Sequence, residues 1–359
     1  MMPGRTVGVL RPTIAVIAVA GLALSAAGVV SAQDQEEIVI SNWAAYMPDD
    51  LPAKFEEETG IKVTVTNHAT NEEIVAKITA GGDSGVDVAF LSGQFAQALG
   101  AAGYLAPIDH AQIPNLANLY PEASELAYDP GNTVSVPYSW GTTGLCYRSD
   151  LVAEAPDSWY DLLTPAADVT GKTTMLATER WMMLPAQKAL GFSVNTTDPA
   201  EMEQVKELLS AAKPTLLTFD DTTFYSRLVS GEAVLVEAWD GWCNYGIAEN
   251  ADIRFVVPTE GADLWTDTMT ILATSQHQEA AHKLIDYILR PDVHRWVAEN
   301  ILYKVPNQAA MEALDPSLLE TFPNMAISPA ELLGTSEALV DIGDAASLYT
   351  EIATEIAAQ

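Results

Sequence analysis

A chain of 359 residues, 48% of them apolar, is long enough to bury more than one core, so two lobes are expected. Its 49 acidic and 17 basic residues give a formal charge of −32 at pH 7, which excludes nucleic acid as a partner because phosphate binding needs a basic face. A negative field concentrates a small cation, although the total charge alone fits solvation or salt adaptation equally well.

The N-terminus reads as an address. Arg5 and Arg11 form a short basic region, residues 13–30 carry no charge, and Val30-Ser31-Ala32 supply small residues for cleavage. A signal peptide over 1–32 is expected. The apolar run is also long enough for an uncleaved anchor. No later run would span a membrane.

Strand and helix then alternate. Glu37–Asn42 predicts a strand, and Asp50–Thr59 a helix stopped by Gly60. "IKVTVT" (61–66) predicts a strand and "NEEIVAKITAGG" (71–82) a helix with an acidic first turn and a glycine stop. "VDVAFLS" (86–92) predicts a buried strand, and a helix through Phe95, Leu99 and Ala102 follows. This order implies an α/β fold with a parallel sheet covered on both faces. Ligands in such folds sit beyond the carboxyl ends of the strands, where Trp43, Tyr46, Asn67, His68 and Ser92 fall. His68 reads as a solvated loop residue.

"VPYSWGTTGLCYR" breaks the alternation, as a crossing between lobes would. The middle block has its own elements: a short helix within 157–165, a strand in "KTTMLA" and an amphipathic helix over 198–214. A strand through Val234–Val236 precedes another helix, and "LWTDTMTILA" returns the chain. Residues 278–300 predict two helices split at Pro291. With no low-complexity linker, several short crossings should tie the lobes together.

Enzyme motifs are scarce. HExxH, GxSxG, Walker A and GxGxxG are all missing, and the five histidines lie singly, so no metal or cofactor is expected. Acidic pairs are too abundant to single out a hydrolase, which stays a minor alternative. Cys146 and Cys243 are too far apart for a CxxC motif. Export permits a bridge between them, with two buried thiols as the alternative. Aromatics beside acids are the stronger signal. "EAWDGW" sets Glu237, Trp239, Asp240 and Trp242 at a strand end, and alternation puts Trp265 and Asp267 on one side of a strand. A desolvated ammonium needs a carboxylate for its charge and π faces to pack against. Core packing is the alternative for each tryptophan.

"NWAAYMPDDLPAKFEEETGIKV" resembles the opening of bacterial periplasmic spermidine/putrescine-binding proteins. The likeness continues through "YDPGNTVSVPYSWGTTGL", "LWTDTMTI", "HKLIDYILRPDV", "AENILYKVPN" and "DAASLYTE", across nearly all of the chain after the leader. The resemblance implies a two-lobed, type II-like periplasmic binding protein with discontinuous lobes around a ligand cleft and hinge crossings. Lobe 1 would be 36–142 plus 266–308, and lobe 2 143–265 plus 309–359. It implies a monomeric periplasmic receptor, not an enzyme, that hands a small cationic amine to the membrane permease of an ABC importer. Another amine or amino acid, or a polyamine-sensing adaptor role, is the alternative.

Carried onto matching positions, the cleft residues are Trp43, Tyr46, Ser92, Trp239, Trp265, Asp267 and Tyr303, with Asp267 pairing a ligand ammonium. Several positions depart from the family pattern. Ala44-Ala45 replaces an acid, Gln94 a tyrosine, and Thr178 and Trp181 stand where one or two acids belong; Leu339 stands for an amide, with Asp341 nearby. One clamp is therefore retained. Glu179, Asp240 or Glu237 is the expected substitute for the second.

Overall fold

Gly60 shows how local chemistry sets the first element. It adopts a left-handed φ of 75° and its N–H caps the Glu56 carbonyl, ending helix α1 (Leu51–Thr59), whose Leu51 and Phe55 face inward. The computed structural model describes residues 35–359; the leader expected over 1–32 lies outside them. Among the described residues no helix is long and apolar enough to cross a membrane.

Strands β1 (Glu37–Asn42), β2 (Lys62–Asn67) and β3 (Val88–Ser92) pair in parallel with β1 central, and α2 (Asn71–Thr79) and α3 (Gly93–Ala101) follow β2 and β3. Helix α2 is shorter than the sequence suggests, because the chain turns at Gly81 and Gly82, both at positive φ. The sheet is not purely parallel. Strand β10 (Ala262–Ile271) adds antiparallel beside β3, and β4 (Ser135–Gly141) adds antiparallel to β10. Its core includes Ile38, Ile40, Val88, Phe90 and Tyr138.

A second sheet follows. Strands β5 (Thr143–Arg148), β6 (Thr173–Met175), β7 (Thr218–Phe219), β8 (Leu235–Trp239) and β9 (Ile253–Val256) lie in the order β7-β6-β8-β5-β9. Between them run α4 (Tyr160–Leu163), α5 (Glu179–Ala189), α6 (Pro199–Ala212), α7 (Phe224–Ser230) and α8 (Asp240–Glu249). The Cys146–Cys243 disulfide joins β5 to α8 across a Cα separation of 5.9 Å, which decides for the bridge over free thiols. Helices α9 (Gln278–Ile288) and α10 (Pro291–Ile301) part at Pro291 as expected.

The last segments are α11 (Gln308–Glu312), α12 (Pro316–Thr321), α13 (Pro329–Thr335), β11 (Ser336–Ala338) and α14 (Ala346–Ala358). Strand β10 spans two environments. Its first residues, Ala262–Leu264, pair with β11, and the stretch from Trp265 onward pairs with β4 and β3.

Chain segments meet closely where β4 passes into β5. The Thr143 N–H donates to Asp263 Oδ1 (2.8 Å), the Asp240 N–H to the Thr142 carbonyl (3.1 Å) and the Trp140 N–H to the Lys304 carbonyl (3.2 Å). This junction has no slack for side chains. A Cβ on Gly141 would stand 2.3 Å from both Asp240 Oδ1 and the Trp265 ring.

Candidate functional site

The turn after β1 carries Trp43 and Tyr46. Ala45 holds a φ of 56°, a strained value for a residue with a Cβ, so the turn is held by its surroundings. The buried Tyr138 hydroxyl supplies one restraint by donating to the Tyr46 carbonyl at 2.6 Å. Trp43 packs edge-on against Tyr46 (5.5 Å between centroids) and against the His68 ring (4.8 Å). His68 is buried, not solvated as the sequence suggested, because its Nδ1 pairs with Ser41 Oγ (2.9 Å) beneath Trp43. Burial lowers its pKa to about 4, so it stays neutral at physiological pH.

Asp267 lies on β10 directly opposite Ser92, the last residue of β3. Tyr46 Oη donates to Asp267 Oδ2 at 2.8 Å, and Ser92 Oγ donates to Oδ1 at 2.7 Å. Ser92 is itself set by Asn71, whose Oδ1 accepts the Ser92 N–H (2.9 Å) and whose amide donates to the Ser92 hydroxyl (3.1 Å). Each carboxylate oxygen thus takes one internal hydrogen bond and retains a further acceptor position. Burial raises the Asp267 pKa to about 6, and the Ser92 and Tyr46 bonds oppose that rise.

The aromatic wall is continuous around this carboxylate. Tyr46 contacts Tyr303 (5.6 Å), and Tyr303 contacts Trp265 (5.5 Å), which stands two residues before Asp267. Tyr303 also reaches the second sheet. Its ring meets Tyr245 (6.4 Å) and lies so close on Gly241, at the start of α8, that a Cβ there would fall 2.3 Å from the ring. Trp239, half-buried at the end of β8, packs against Trp181 (5.3 Å) and Phe224 (6.2 Å). Trp181 Nε1 donates to Asp263 (2.8 Å), two residues ahead of Trp265, and so ties this second ring cluster to β10.

A buried carboxylate held by two hydroxyls between aromatic faces is an arrangement that can receive an ammonium. The family comparison agrees: residues 50–317 match the model of the bacterial extracellular solute-binding proteins. The chain belongs to that family. This solute-binding protein is 34% identical over 324 residues to the spermidine/putrescine-binding periplasmic protein of Salmonella typhimurium, covering 89% of this chain and 91% of that one. It is 29% identical to the putrescine-binding periplasmic protein PotF of Escherichia coli, covering 84% and 86%. Among solved structures, the spermidine/putrescine ABC transporter substrate-binding protein PotD of Streptococcus pneumoniae superposes with a TM-score of 0.79 at 28% identity, covering 89% of this chain and 98% of that one.

In this solute-binding protein Trp43, Tyr46, Ser92, Trp265, Asp267 and Tyr303 form one connected group, and Trp239 stands in the neighbouring ring cluster. The expected second acid is placed differently. Asp240 is fully buried and bonded to the Lys304 ammonium, so it is an internal partner, not a free ligand acid. Burial raises its pKa, and Lys304 opposes the rise. Glu237 is also buried, accepting the Leu176 N–H at 2.9 Å, because both faces of β8 are covered. Glu179 is half-buried in the first turn of α5 and accepts the Thr350 hydroxyl at 3.1 Å. Asp263 takes the Thr143 N–H and the Trp181 indole; burial raises its pKa to about 6, and those bonds oppose the rise. Sequence reasoning missed Asn71, Tyr138, Asp263 and Lys304, which reach the site from remote parts of the chain and carry no local motif.

Proposed function

We propose that this chain is an exported, periplasmic receptor that captures a small amine of the putrescine/spermidine class and delivers it to the permease of an ABC importer. The observation that carries the reading is Asp267, held by Tyr46 and Ser92 with acceptor capacity left over, inside the ring wall of Trp43, Tyr46, Tyr303 and Trp265. An ammonium placed there receives charge-assisted hydrogen bonds from the carboxylate, while its methylenes pack against π faces. The names of the relatives point to the same ligand class.

Two lobes, 36–142 with 266–308 and 143–265 with 309–359, close on the ligand by flexing at the β4–β5 passage, within β10 and after Tyr303. Closure brings Tyr303 and Trp265 against the α8 start. The receptor acts as a monomer after cleavage behind Ala32, and it performs no chemistry on the ligand.

Calorimetry on protein freed of bound ligand by unfolding and refolding tests the reading, with putrescine, spermidine, agmatine and 4-aminobutyrate as ligands. Binding of at least one amine is expected. If none binds, the reading is wrong. N-terminal sequencing of exported protein tests cleavage, and a membrane-bound form retaining residues 1–32 would replace the soluble reading with an anchor.

A further inference from the structure

We propose that the site grips its ligand through a single ammonium, and that Lys304 is the residue that imposes this limit. The inference rests on the amine reading above and deepens it. Two carboxylates lie near Tyr303: Asp267, bonded by the Tyr46 hydroxyl whose ring contacts Tyr303, and Asp240, at the start of α8, whose neighbour Gly241 lies against the Tyr303 ring. They are treated differently. Asp267 meets only hydroxyl donors, which leave its charge uncompensated. Asp240 meets an ammonium group. Lys304, 2% exposed, follows Tyr303 in the chain and sends its ammonium inward to Asp240, with a second bond to the Asn324 carbonyl (3.2 Å). The Asn324 amide closes the arrangement by donating to the Asp240 carbonyl (3.2 Å).

Asp240 is not remote from the ring wall. Its Oδ1 and the Trp265 ring both crowd the position a Cβ on Gly141 would take, and its neighbour Gly241 lies against the Tyr303 ring. Without Lys304, a negative charge would stand behind Trp265 and Tyr303. With it, the protein supplies its own counter-ion where a second ligand ammonium would otherwise be drawn. The other acids around the rings meet neutral donors only, and Glu237 is buried against the Leu176 N–H. Asp263 is held by an indole and a backbone N–H, and Asp221 by the Ala177 N–H (2.6 Å) and the Thr178 hydroxyl (2.8 Å). Lys304 thus takes Asp240, the second carboxylate beside Tyr303, away from a second ligand ammonium, and a nitrogen beyond the first gains no clamp there.

Calorimetry with n-butylamine, putrescine and spermidine separates one clamp from two. For the wild-type protein, putrescine should bind within about threefold of n-butylamine, since two equivalent ends give a statistical factor of about two. Spermidine should bind no tighter. In Lys304→Met the freed Asp240 should draw the second nitrogen, and putrescine should move ahead of n-butylamine by about thirtyfold or more. The double variant Lys304→Met/Asp240→Asn, which removes both charges, should return to wild-type parity. A wild-type lead of putrescine or spermidine over n-butylamine beyond about thirtyfold overturns the inference, as does a folded Lys304→Met with an unchanged ratio. If Lys304→Met does not fold, the wild-type series decides alone: parity supports the single clamp and a diamine lead refutes it. Failure of every amine to bind wild type sinks the amine reading instead, a result distinct from tight diamine binding.

Discussion

Replacing Asp267 by Asn removes the charge of the clamp and keeps its shape. The Asn carbonyl can still accept from Ser92, and the Tyr46 hydroxyl can rotate to accept from the new amide, so the turn and ring wall should survive. What is lost is the compensation of a ligand ammonium in a water-poor site. Truncating one partner of a buried, hydrogen-bonded charge pair costs about 2–5 kcal/mol, much of it from the charge left unpaired. That corresponds to roughly a thirtyfold to several-thousandfold rise in Kd. The pH dependence is a second signature. The ligand binds the ionised carboxylate, whose pKa in the free protein is raised to about 6. Affinity should therefore be full above about pH 7 and fall as pH drops through 6, approaching about tenfold per pH unit well below it. The falling arm should vanish in Asp267→Asn. Calorimetry from pH 5 to 8 on both proteins, with thermal melts to confirm folding, reads both effects. A folded Asp267→Asn that binds the preferred amine as tightly as wild type would refute the clamp.

Trp239→Ala should weaken the same amine by about 1–2 kcal/mol, through lost π contact and apolar burial, and an unchanged Kd would remove Trp239 from the site. Gly241→Ala sets a Cβ 2.3 Å from the Tyr303 ring and should cost about 1–3 kcal/mol of stability by overpacking, together with lost affinity; an unchanged melting temperature and Kd would contradict that close approach. Reducing the Cys146–Cys243 bridge should lower stability by up to about 4 kcal/mol on the chain-entropy model without altering ligand preference. Denaturant titration of oxidised and reduced protein checks this, and coincident midpoints would mean that the bridge adds nothing.

The sequence carried many of the elements and singled out several candidate-site residues because those signals are local. Alternation and β-branching marked β1, β2 and β3, Gly60 marked the end of α1, and Pro291 parted α9 from α10. Trp43 and Tyr46 stood out as aromatics just past a strand end, and Trp265 and Asp267 as an aromatic and an acid that alternation sets on one side of a strand. The fate of the other acids was not legible. Asp240 and Glu237 sit in the same short motif as Trp239, and composition gives no reason to prefer one. A buried charge must find its counter-charge or donor in three dimensions. For Asp240 that partner is Lys304, 64 positions away; for Glu237 it is the Leu176 N–H, 61 away. His68 likewise reads as a loop residue until Ser41 and Trp43 close over it. Which carboxylate stays free to hold a ligand was thus decided by the tertiary structure, because availability depends on what every other donor in the neighbourhood has already taken.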